Sequence, residues 1–179
     1  DYSSSSLEDI DGYELGGQAS INEFMEGVLS IIRSDAIDDR PDMWTQDRIE
    51  LGLKSAIRAI SCGELDKALS RISAVVQLLE ETMKITNEVL LPTSCHFLDG
   101  MEWKAKESWH TVHNDPDALE ERMIFITTNM NGIMTGSCLN PSEQLSALQR
   151  KEFEPLRDHP EFIKLCERVK ALIVTKQDL

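Results

Sequence analysis

The feature that most constrains this chain is the segment from Leu65 to Leu91, in which apolar residues recur at spacings of three and four without a break until Pro92. Proline has no amide hydrogen and clashes with the preceding turn, so it marks the limit of such a helix. Leu69, Val76, Met83 and Leu90 occupy one heptad position and Leu65, Ile72, Leu79 and Thr86 another. Such a seam can join two chains. Ala68, Val75, Leu78 and Ile85 widen the apolar face beyond two positions per heptad, which suits a helix packed among several neighbours in one chain. The expectation is therefore a monomer, with self-association through residues 65–90 as the alternative.

The same helical grammar reads along most of the chain. Ser20-Ile21-Asn22-Glu23 is a capping box, in which a serine hydroxyl and a glutamate carboxylate satisfy exposed amide donors. Ile21, Phe24, Val28, Ile31 and Ile32 then form a stripe expected to face a core. A charged connector, Asp35 to Asp42, leads to a second helix from about Thr45 to Cys62, with Gly63 as its stop. Beyond Pro92, Met101, Ala105, Trp109 and Val112 predict a fourth helix starting near Asp99. Leu119, Met123, Ile126, Met130 and Ile133, introduced by Asp115-Pro116 and closed by Gly132 to Gly136, predict a fifth. Asn140-Pro141-Ser142-Glu143 opens a sixth that bends near Pro155, and Asp158-His159-Pro160-Glu161 opens a last. Seven helices and no strand make the predicted fold all-α: a single compact helical bundle over residues 18–179, preceded by a flexible acidic tail over residues 1–17.

That tail combines a serine run with five carboxylates and has too little apolar content to build a core element. Ser5 and Ser6 stand before Leu7-Glu8-Asp9, a setting acidophilic kinases favour, and are the candidate phosphorylation sites. Tyr13 and Leu15 are candidate docking residues of a short peptide.

Charge limits the classes of partner. With 32 acidic against 18 basic residues the net charge is −14, which disfavours broad contact with nucleic-acid phosphates or anionic lipid. Nucleic acid is not expected on that ground, and membrane insertion is not expected because no stretch approaches the ~20 apolar residues of a spanning helix. Four widely spaced cysteines, Cys62, Cys95, Cys138 and Cys166, read as reduced thiols of an intracellular, cytoplasmic protein rather than as a disulfide framework.

No pattern of catalysis emerges. Neighbouring carboxylates such as Glu80-Glu81 diverge on a helix, and Gly132-Ile133-Met134-Thr135-Gly136 lacks the lysine of a phosphate loop. Neither catalytic nor cofactor-binding residues are assigned, and no cofactor or metal is expected. The reading is a non-catalytic helical scaffold, an adaptor that binds another protein and has an acidic tail that modulates binding. Met43, Trp44 and Trp103 are candidate partner-binding residues, because large aromatics and methionine favour interface cores. The alternative is a small helical enzyme or metal-dependent regulator built on Cys95, His96, His110 and His113.

Overall fold

The protein is described by a computed structural model over residues 21–29, 41–42, 44–86, 89–91, 102–111, 119–130 and 133–179. Among the described residues there are five α-helices: α1 over 21–29, α2 (Thr45–Ser61), α3 (Leu65–Met83), α4 (Pro141–Leu148) and α5 (Pro160–Lys170). Between α3 and α4 lie four strands, β1 (Val89–Leu91), β2 (Glu102–Thr111), β3 (Glu120–Met130) and β4 (Ile133–Leu139). They form one antiparallel meander in the order β1-β2-β3-β4. The fold is thus mixed helix and sheet, and the seven-helix all-α bundle is corrected. The acidic tail, with Ser5, Ser6, Tyr13 and Leu15, lies outside the described residues.

The correction has a specific physical cause. Met101, Ala105 and Trp109 are four residues apart, and four is close to one helical turn but also a whole multiple of the two-residue strand repeat. Trp103 breaks the tie. It is out of step with a helical stripe yet lies on the same strand face as Ala105, and both are buried, opposite Thr128 and Ile126 of β3. In β3 the run Met123-Ile124-Phe125-Ile126-Thr127-Thr128 is rich in β-branched and aromatic residues, which fit a pleated sheet. Ile124 and Ile126 point inward, while Phe125 between them is exposed. Two residues, Asn131 and Gly132, separate Met130 from its partner Ile133. An Asn-Gly pair between apolar runs is a strong hairpin signal, here read instead as the end of a helix.

The helices keep much of the predicted grammar. Asp42 is buried and starts α2: its carboxylate accepts from the Trp44 amide at 2.9 Å, and its own amide donates to the Thr45 hydroxyl at 2.8 Å. Gly63, at φ 76°, ends α2 in a left-handed turn that a side chain would strain. In α4 the Asn140 side chain accepts from the Ser142 amide at 3.0 Å with Pro141 at the first position. The predicted bend at Pro155 falls within a 3-10 segment, Lys151–Leu156. In α5 the capping group is His159, whose Nδ1 accepts from the Glu161 amide at 3.3 Å.

One core binds these parts together. Ile49 and Ala56 of α2, Ile72, Val76 and Leu79 of α3, and Trp103, Ile124, Ile126 and Leu139 of the sheet belong to a single buried cluster that includes Phe153, Phe162 and Leu165. The row Leu69, Ile72, Val76, Leu79 and Met83 is therefore enclosed within the chain, whereas Leu65 is exposed. The helix α3 ends at Met83, short of the predicted Leu91. Its last carbonyl and one just beyond it are taken by Arg122 of β3, whose Nη1 donates to Met83 O at 2.8 Å and Nη2 to Ile85 O at 3.3 Å. The same guanidinium donates from Nε to Glu107 of β2 at 2.7 Å, so a cation at the negative helix end ties α3 to the sheet.

A second tie links α5 to α3. Arg168 donates to Glu80 through two parallel bonds, of 2.8 and 2.7 Å. The Arg168 bond holds the Glu80 carboxyl below its usual range. A carboxyl depressed in the folded state stabilises at neutral pH and loses that contribution as pH falls through its folded value. Partly exposed pairs of this kind contribute about 0.2–1 kcal/mol. Glu80→Gln should accordingly flatten part of the acid limb of stability against pH, measured by denaturant unfolding. An unchanged acid limb would mean that the pair adds nothing.

Candidate functional site

A depression lies where α1 rests on the α2–α3 hairpin. Its volume is about 480 Å³, within the range of ordinary ligand clefts. Leu29, Leu51, Ala74, Val75 and Leu78 make the apolar part of its lining, and Arg48, Arg71, Glu26 and Glu81 make the charged part. All four of these charges are already engaged, Arg71 with Glu26 at 3.8 Å, Arg48 with Asp42 at 3.6 Å and Glu81 with Lys84 at 2.6 Å. The groove offers apolar contact bordered by both signs of charge.

The position of α1 explains why it carries more apolar surface than it buries. Leu29 is enclosed, and Glu23 and Glu26 pair with Arg58 of α2 and Arg71 of α3. Those contacts hold one side of the helix. On the other side Ile21 is 56% exposed, Phe24 69% and Met25 39%. These three residues follow the i, i+3, i+4 spacing of a single helix face. The sequence stripe through Ile21, Phe24 and Val28 was expected to face a core, and the structure turns its first two members to solvent. The available signal was on the opposite side, where Glu23 and Glu26 can pair with basic residues of neighbouring helices; Leu29 lies at the edge of the same apolar face as Met25 and is its covered member.

The residues singled out in the sequence do not converge. Trp103 is 1% exposed, inside the core near the start of β2. Trp44 is half-buried at the start of α2, and its indole N–H has no hydrogen-bond partner among the described residues. Met43 lies outside the described residues, as do Cys95, His96 and His113. His110 is exposed near the end of β2, opposite Glu121. Among the described residues no cluster of three or more His, Cys, Asp and Glu side chains is arranged to hold a metal, and no helix is long and apolar enough to cross a membrane.

The two half-buried thiols are unsuited to attack. Burial pushes Cys138 upward, with Glu143 adding to the shift, and burial alone raises Cys166. A raised thiol remains protonated at neutral pH, and the thiolate is the nucleophile. Cys138 instead meets the sulfur of Met123 at 3.0 Å on the outer side of the sheet. Compared with protein-family models, curated proteins and solved structures, the chain has no match.

Proposed function

We propose that this chain is a non-catalytic interaction domain that binds an amphipathic segment of another protein along α1 and the adjoining groove. The observation that carries the reading is the exposed row Ile21, Phe24 and Met25 on a helix anchored from behind by Glu23 and Glu26. Large apolar side chains grouped in the open mark interaction sites more often than isolated ones do. Phe24 has the character of an anchor, since aromatic and methionine side chains are enriched at interface cores. The mixed charge at the groove suits a partner helix whose apolar face is flanked by both acids and bases, docked by its i, i+3, i+4 side chains. The acidic segment 1–17 lies just ahead of α1 in sequence, and modulation of binding by that segment, including phosphorylation at Ser5 or Ser6, belongs to the same proposal.

A photo-crosslinking amino acid at position 24 tests it, with one at the exposed α2 position 50 as reference. A discrete protein adduct from position 24 alone is expected, competed by unlabelled wild-type chain and not by Phe24→Asp. With that partner in hand, Phe24→Ala should weaken binding by about 1–2 kcal/mol while changing folding stability by less than about 0.5 kcal/mol. Equal adducts from both positions would overturn the proposal, as would early melting of Phe24→Ala.

A further inference from the structure

Among the described residues β4 stands at the end of the sheet, and one of its edges has no partner strand among them. Backbone N–H and C=O groups that point away from a sheet edge are a template for another strand. Proteins ordinarily blunt such an edge with lysine, proline, a bulge or a very short strand. At the opposite edge the last device is present, since β1 has three residues. β4 has none of them. Its seven residues, Ile133-Met134-Thr135-Gly136-Ser137-Cys138-Leu139, carry no charge and no proline. Its register with β3 runs from Met130↔Ile133 to Ile124↔Leu139 without an inserted residue.

In a chain of net charge −14, a neutral seven-residue edge is a place where two copies can meet without opposing like charges. We propose that β4 pairs antiparallel with β4 of a second copy, joining two four-stranded sheets into one continuous sheet. A two-fold axis through a strand edge makes the paired strands antiparallel. With the axis at Gly136, the midpoint of the strand, Thr135 faces Ser137 of the second copy, Met134 faces Cys138 and Ile133 faces Leu139. Every facing pair is uncharged.

The outer face of the sheet supports this occupant. Phe125 is 41% exposed, and its ring lies over Gly136, where a Cβ would come within 2.9 Å of Cζ. Neighbouring strands are about 4.8 Å apart, so two Phe125 rings, each leaning over its own Gly136, approach one another across the axis. Apolar surface left open in one copy is covered by the other. This association replaces the monomer suggested by the sequence. It uses elements separate from α1 and does not depend on the proposed function.

Light scattering on the full chain over a wide concentration range, paired with hydrogen exchange, tests the inference. Wild type is expected at twice the chain mass, with amides of residues 133–139 gaining protection as concentration rises. Cys138→Lys, which places a charge on the edge, should remain at the chain mass at those concentrations with unchanged circular dichroism. Should that variant not fold, the wild-type exchange pattern alone decides. A wild type monomeric up to its solubility limit overturns the proposal, and so does association that protects another segment. A monomer whose β4 amides become protected only when another protein is added also overturns it, in favour of strand addition by that protein.

Discussion

Replacing Trp103 with alanine is expected to remove about 3–5 kcal/mol of stability, the range for emptying a buried large aromatic site. The side chain is 1% exposed and sits on the inner face of β2 beside Ala105, over a core that contains residues of every helix from α2 to α5. A domain's whole stability is commonly 5–15 kcal/mol, so the variant should unfold at markedly lower denaturant. Trp103→Phe should lose far less. It keeps most of the ring and removes an indole N–H that has no partner among the described residues, and an unsatisfied buried donor itself costs about 1–3 kcal/mol. Equilibrium unfolding of both variants separates these terms. A loss of less than roughly 1 kcal/mol for Trp103→Ala, the scale of an average substitution, would place the indole at the surface, where the sequence reading had it meeting a partner.

Ile72→Ala should be nearly as damaging, at about 2–5 kcal/mol, because a well-packed site closes only partly around the missing atoms. Ile72 is fully buried in the middle of α3, with Leu69, Val76 and Leu79 on the same enclosed row. The effect should appear in unfolding, with no change in association state by light scattering. Ile72→Asp should fail to fold, since an unpaired carboxylate would be confined among apolar groups. A folded, helical Ile72→Asp monomer obtained from a wild-type oligomer would sink this account and return the row to an intermolecular coiled coil.

The parts of the fold that were legible in the sequence are those whose signals are local. Gly63 after α2, Asn140-Pro141 before α4 and His159-Pro160 before α5 act through backbone groups within a few residues, and each stands where it was read. The sheet was hidden because its signals are relational. Ala105 and Trp109 satisfy two periodicities at once, and the tie is broken by strand partners, Ile126 and Arg122, that lie 21 and 13 residues further along the chain. The end of α3 was misplaced for a similar reason: its terminating donor is Arg122, 39 residues from the Met83 carbonyl that it meets. The candidate site was missed because an apolar stripe is ordinarily read as core, and nothing local says that the polar side of this helix is the one held against its neighbours. The side that is held carries Glu23 and Glu26, which pair with Arg58 and Arg71 and leave Phe24 facing outward.

The contact between α5 and α3 has a consequence for synthesis on the ribosome. The α2–α3 hairpin can form from neighbouring sequence as soon as it emerges, but Arg168, which reaches Glu80 of α3, is 88 residues downstream. Translation proceeds at about 5–20 residues per second, so a nascent chain carries α3 for several seconds before α5 exists. During that interval the apolar surface destined for Phe162, Leu165 and Val169 is open to other nascent chains and to chaperones. Slower translation across α4 would prolong that exposure, making aggregation yield sensitive to synonymous codon choice in a segment whose protein sequence is unchanged.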